Sequence, residues 1–125
     1  MEMTESLKNA RQTLLEDFQT LLLRMSRDEN LEVLRLNSSY HFKVLDNLFS
    51  YRKDSVFSDF GYSRLFLTVE VLRKELKVLK QSGFHKTESN YRYLKQYMET
   101  LKVALGYVGM AIEDLEMALC LEGVD

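Results

Sequence analysis

Histidine is the side chain best suited to acid–base or metal chemistry near neutral pH, and this 125-residue sequence contains two. His41 follows Asn37 and Ser38 on the inner face of a predicted helix, where a bundle usually carries leucine. We expect no metal or other cofactor, since no Glu-x-x-His motif is present and His85 lies in a predicted loop. His41 is therefore interpreted as a core histidine bonded to Ser38 or Asn37. A ligand-sensing bundle, with Asn37, Ser38 and His41 as an internal polar site, is the alternative.

A second kind of chemistry is suggested by the spacing of Arg35 and His41. Residues 35–41 read Arg-Leu-Asn-Ser-Ser-Tyr-His, and this spacing resembles that of the HEPN class of small helical ribonucleases. The resemblance implies RNA cleavage with Arg35 and His41 as active-site residues. Six steps on an unbroken helix would leave the two side chains about 120° apart, so this activity requires a helix break at residues 37–39.

The last third of the chain has the most regular apolar pattern, and it predicts the element on which the other helices pack. Eight apolar residues recur there at alternating steps of four and three, which predicts one stripe on a helix of about 30 residues. Such a helix is stable in water only if other segments cover the stripe. These inner residues are Leu94, Met98, Leu101, Leu105, Val108, Ile112, Leu115 and Leu119.

The same helix carries further apolar residues outside the inner stripe. Either the rest of the fold wraps the helix completely, or these residues form a self-association surface. Residues 73–102 hold eight basic and three acidic side chains, whereas residues 103–125 hold five acidic and no basic ones. Two copies crossing antiparallel would bring Lys102 close to the partner's Glu113, which favours a homodimer. The predicted interface residues form a series that Asp114 interrupts: Val103, Tyr107, Met110, Met117 and Leu121.

Aromatic residues are concentrated between Tyr40 and Phe66, a stretch that holds eight of the fourteen in the chain. Phe57 and Phe60 fall in its least regular part, residues 52–62. They could plug one open end of a bundle or anchor a partner helix. We predict a second protein-contact site at Phe57 and Phe60.

Helix formation is expected along almost the whole chain, because proline is absent and there are only five glycines. The predicted helices cover about 4–25, 28–51, a third ending at Ser82-Gly83-Phe84, and a fourth capped by Thr87 or Ser89. Short connections between long amphipathic helices predict an all-α, antiparallel up-down four-helix bundle comprising a single domain over residues 1–125. The first helix is expected to bury Leu7, Leu14, Phe18, Leu21 and Met25, with Leu15 and Leu22 beside them.

Composition narrows the classes of function. The hydrophobic content of 46% and charged content of 29% are typical of soluble proteins, and no apolar run could span a membrane. A net charge of −2 disfavours nucleic acid as a partner, and the single cysteine, Cys120, favours a cytoplasmic location. We expect a non-enzymatic module that binds a protein partner and forms a homodimer. Bacterial and phage accessory or regulatory proteins are often of this kind.

Overall fold

The computed structural model describes residues 2–59 and 62–123, and within these ranges it contains helices, turns and no strand. The all-α prediction is thus confirmed. The finer four-helix arrangement is not established by the element order, because an additional short helix lies between the second and third long helical segments. The elements are α1 (Glu2–Gln12), a π-helical segment (Thr13–Gln19), α2 (Thr20–Met25), α3 (Leu31–Ser50), a 3₁₀ turn (Tyr51–Lys53), α4 (Ser55–Asp59), α5 (Ser63–Gln81) and α6 (Glu88–Leu121).

The π-helical segment changes which face of the first helical segment is buried. A regular α-helix would place Leu21 after Leu14 and Phe18 on the core face, as the sequence predicts. The wider turn of the π segment admits one more residue, so Leu22 is fully buried and Leu21 only partly. Met25 then returns to the core three residues later. The predicted face is therefore wrong at Leu21, because the helix is not α-helical throughout.

Helix α6 is the longest element and contacts every other long helical segment. Its most extensive contacts are with α5, followed by α1 and the π segment, whereas α3 packs mainly on α5. Six of the eight predicted inner residues are buried, and Met98 and Leu105 are partly buried against the core. Burial also extends to one flank of the helix, which consists of Tyr97, Ala104 and Ala111.

The turn between α5 and α6 ends one helix and starts the next within six residues. Gly83 has a φ of +68°, and its amide donates to the carbonyl of Lys80. The amide of the buried Phe84 donates to the carbonyl of Leu79, which closes the α5 end as the sequence predicts. Thr87 then caps α6 by accepting a hydrogen bond from the Asn90 amide.

The junction between α2 and α3 differs from the prediction. The sequence predicts that the second long helix starts at about Asp28, but α3 begins at Leu31 with Asn30 as its cap. The Asn30 carboxamide oxygen accepts from the amide of Val33 at 2.8 Å. Asp28 therefore lies in the connecting loop, where its carboxylate is free to bond elsewhere.

We predict that Leu101→Ala, at the middle of the inner stripe, lowers the free energy of unfolding by about 2–5 kcal/mol, because Leu101 is fully buried and truncation leaves a cavity. Urea denaturation measures the loss. The matched control is Leu36→Ala on α3, where the leucine is 67% exposed and little apolar surface is lost. Equal destabilisation by the two substitutions would contradict the placement of the core.

Candidate functional site

An internal polar cluster surrounds His41, which is completely buried. Its Nε2 lies 2.7 Å from Oδ2 of Asp28, and its Nδ1 lies 2.9 Å from the hydroxyl oxygen of Tyr97. Asn37 also donates from Nδ2 to the same Asp28 oxygen at 3.1 Å. The cluster thus links the α2–α3 loop to α3 and α6.

The hydrogen bonds of the cluster indicate which ring nitrogen carries the proton when His41 is neutral. A carboxylate only accepts, so the Nε2–H of the imidazole donates to Asp28 and Nδ1 accepts from the Tyr97 hydroxyl. Burial lowers the pKa of His41, and this effect exceeds the opposing one of the Asp28 carboxylate. At neutral pH the imidazole is therefore uncharged, with both nitrogens satisfied.

Tyr97 is the second buried member of the cluster and is fully enclosed. Burial raises the pKa of its hydroxyl well above the ordinary value, and the carboxylates of Glu75 and Asp28 raise it further. Burial also raises the pKa of Glu75, whose Oε1 has no hydrogen-bond partner among the described residues. A hydroxyl that stays protonated in this way can donate a hydrogen bond to His41.

The predicted internal site is assembled only in part. Asn37 and His41 meet through Asp28, whereas the Ser38 hydroxyl donates to the carbonyl of Arg35 one turn back along α3. The expected direct partners of His41, Ser38 and Asn37, are replaced by Asp28 and Tyr97. Both ring nitrogens of His41 are already bonded, so neither is left to bind a ligand.

The geometry required for the ribonuclease alternative is absent from α3. The helix runs unbroken through residues 37–39, as part of Leu31–Ser50. Arg35 is exposed and pairs with Glu32 on the outer side, while His41 is buried on the inner side. Arg35 and His41 therefore do not converge on a common substrate. Within residues 2–59 and 62–123, no group of three or more His, Cys, Asp or Glu side chains is arranged to hold a metal ion.

The second candidate is an exposed apolar row on α6, here called the outer stripe: Val103, Met110, Met117 and Leu121. These side chains are 50, 60, 68 and 84% exposed, respectively. Tyr107, the fifth predicted interface residue, is partly buried against the core. The alternative that the rest of the fold wraps α6 completely is therefore wrong for the outer stripe.

Two features beside the outer stripe extend this surface. Gly106 lies between Val103 and Met110 on the outward side of α6, and a Cβ built there would meet no atom within 4 Å. Across the groove to α5, Leu67 and Val71 are 61 and 46% exposed, and they line this groove together with Val103. The apolar surface thus continues from α6 onto α5.

Phe57, predicted to contact a partner, is buried within the chain's own fold. Its ring packs against Tyr51, Tyr62 and Phe66 at centroid distances of 5.5, 5.8 and 6.2 Å, and 2% of the residue is exposed. The prediction that Phe57 anchors a partner is corrected, because its side chain fills the end of the core. Phe60, the other residue of that predicted site, lies outside the described residues.

Sequence reasoning misses two residues of the polar cluster. It places Asp28 at the start of a helix, and it assigns Tyr97 no part in a polar site. One signal in the sequence could have indicated them. A histidine on a core face needs hydrogen-bond partners, and if its neighbours on the helix do not bond it, an acidic or hydroxyl group from a distant segment must do so. The fold supplies both groups.

In comparisons with known proteins, no family model, no curated protein and no solved structure matches the chain. Among the helices of the described residues, none has the length and apolar character needed to cross a lipid bilayer.

We predict that Tyr97→Phe lowers the free energy of unfolding by about 1–3 kcal/mol, because His41 Nδ1 would lose its buried donor. Thermal and urea unfolding measure the change. Tyr91→Phe is the matched control on the same helix, since half of Tyr91 is exposed. A loss no larger than that of Tyr91→Phe would show that the bond to His41 contributes nothing.

We predict that the stability contributed by His41 decreases as the pH falls below about 6.5. The folded protein holds the pKa of His41 below 6.5, so the unfolded chain takes up this proton at a higher pH than the folded protein does. The free energy of unfolding therefore rises with pH from about 5.5 to about 7.5 by a contribution that His41→Gln removes. Urea denaturation of both proteins across this range measures it.

His41→Leu serves as a second variant, because it removes the same titration while keeping an apolar side chain in the core. Parallel pH profiles for the unsubstituted protein and both variants would contradict the prediction.

Proposed function

We propose that this protein is a non-enzymatic, cytoplasmic interaction module with a regulatory role that self-associates through the outer stripe of α6. The exposure of Val103, Met110, Met117 and Leu121 in one row is the observation that carries this proposal. Single exposed apolar residues are common on monomers, but several that share one face of a helix are typical of a binding surface. Asp114, which is exposed, lies between Met110 and Met117 on this face and interrupts the row.

A second copy of this chain is the proposed occupant of the outer stripe. When two α6 helices lie antiparallel, the basic residues of one face the acidic residues of the other. Lys102 is exposed on the N-terminal side of Gly106, and Glu113 is exposed on its C-terminal side. Neither takes part in an ion pair among the described residues. An antiparallel crossing of two α6 helices would place Lys102 beside the partner's Glu113, and the two-fold axis would repeat the pair.

Gly106 supports a close approach at the crossing point. Glycine in the interior of a helix costs about 1 kcal/mol relative to alanine, and nothing in the part of the chain that the structure describes requires its small size at this position. A neighbouring helix passing over Gly106 would give the missing side chain a role. In such a crossing, Val103 would pack against the partner's Met110.

We propose that the four long helical segments form an antiparallel bundle and that the short helix α4 is an addition to it. Contacts that join opposite ends of neighbouring helices support it. Arg11 of α1 pairs with Glu116 near the end of α6 at 3.1 Å. The Tyr62 hydroxyl, just before α5, donates to the Ala111 carbonyl in the second half of α6 at 3.4 Å. In such a bundle, the outer stripe faces away from the shared core.

We predict that Met110→Glu abolishes self-association while leaving the fold intact, since it puts a charge at the centre of the outer stripe without touching the core. Sedimentation velocity at concentrations on the order of tens of micromolar measures the oligomeric state, and circular dichroism checks the fold. Leu36→Glu, an equally polar change at an exposed leucine of α3, is the matched control and should leave the dimer unchanged.

The charge pair provides the decisive check on the antiparallel arrangement. Lys102→Glu alone should weaken association by repulsion from the partner's Glu113, and adding Glu113→Lys should restore it. A monomer at every concentration, or a dimer that Met110→Glu does not affect, would overturn the proposed function.

A further inference from the structure

A basic groove lies between α3 and α5, separate from the outer stripe. It has a volume of about 900 Å³, and three lysines line it: Lys43 from α3, and Lys77 and Lys80 from α5. Phe42 contributes an apolar surface to the same groove, with the Lys80 Nζ 5.3 Å from the centre of its ring. We call this feature the α3–α5 groove.

The positive charge in the α3–α5 groove is not balanced locally. Asp46 is the one carboxylate among its lining residues, and its Oδ1 accepts a hydrogen bond from Nε of Arg73 at 2.8 Å. That pairing leaves the ammonium groups of Lys43, Lys77 and Lys80 without a counter-charge from the lining. The whole chain carries a net charge of −2, but residues 73–102, which include Lys77 and Lys80, hold eight basic and three acidic side chains.

Ordinary surface chemistry accounts for only part of this arrangement. Lys80 lies in the last turn of α5, where a cation stabilises the helix dipole. Lys43 lies in the interior of α3 and Lys77 one turn before Lys80, and they converge on one concavity from two helices. Three like charges lining one concave surface repel one another, and an anion between them would relieve the repulsion.

We propose that the α3–α5 groove binds a small ligand that carries two or more linked phosphate groups, such as a nucleoside triphosphate or a free polyphosphate. Lys43, Lys77 and Lys80 bind the phosphates as point charges. Phe42 offers a surface for an attached ring when the Lys80 ammonium, which lies over the Phe42 ring, turns to the phosphates. Ser39, Asn47 and Gln81 add hydroxyl and carboxamide groups to the lining for hydrogen bonds.

The extent of the groove favours a short polyphosphate over a nucleic acid strand. Its lining on α3 spans residues 39–47, a rise of about 12 Å along the helix. Proteins that bind nucleic acid usually present a longer basic track to successive phosphates.

Isothermal titration calorimetry with tripolyphosphate, ATP and inorganic phosphate tests the proposal on the full chain. We expect tripolyphosphate and ATP to bind with a dissociation constant below about 1 mM, and inorganic phosphate to bind at least about tenfold more weakly. The double substitution Lys77→Ala/Lys80→Ala should weaken both polyphosphates by at least about tenfold. Lys8→Ala/Lys95→Ala, which removes two exposed lysines outside the groove, is the matched control and should change binding less than about twofold.

Phe42→Ala identifies the source of the phosphates. If Phe42→Ala lowers the affinity for ATP but not for tripolyphosphate, the ligand is a nucleotide. If the ratio of the two affinities is unchanged, the ligand is free polyphosphate. Melting temperatures of all variants check the fold. Three outcomes would overturn the proposal: no heat of binding at millimolar ligand, equal losses in the two double-lysine variants, or tighter binding of a single-stranded oligonucleotide than of tripolyphosphate.

Discussion

The burial of one side of α6 is the constraint on which the rest of the structure depends. A 34-residue helix cannot be stable by itself, and the segments α1, α2, α3 and α5 all contact it. They cover the side that carries Tyr97, Leu101 and Val108, whose exposure is zero. Because these segments pack on that one side, the opposite side of α6 remains open. The covered side and the outer stripe are thus two results of the same packing.

The periodicity of the sequence predicts the covered side of α6, but it does not decide whether the outer stripe is exposed. Alternating steps of four and three identify the inner residues of α6 because a helix repeats every 3.6 residues. The pattern also marks Val103 and Met110 as apolar, but it cannot show whether another helix covers them, since that depends on how the long segments pack. Periodicity also fails where the helix type changes. In the π segment, the extra residue per turn moves full burial from Leu21 to Leu22.

Long-range contacts explain why the polar cluster is predictable only in outline. The sequence identifies His41 as a polar residue on a core face, and the fold buries it completely. Its partners lie 13 and 56 residues away in sequence, at Asp28 and Tyr97. No local rule connects residues at those separations. Asn30, rather than a residue at 26–28, caps α3, and this local choice is what keeps Asp28 in the loop.

The seven-residue π segment has a consequence for how this chain should be compared with others. A π turn holds one residue more than the α-turn it replaces, so it is equivalent to an insertion that the surrounding packing has absorbed. Removing one residue between Thr13 and Gln19 would restore regular α-helical hydrogen bonding. An alignment between this chain and a relative with a straight first helix should therefore open a single-position gap there, with the buried residues on both sides still in register.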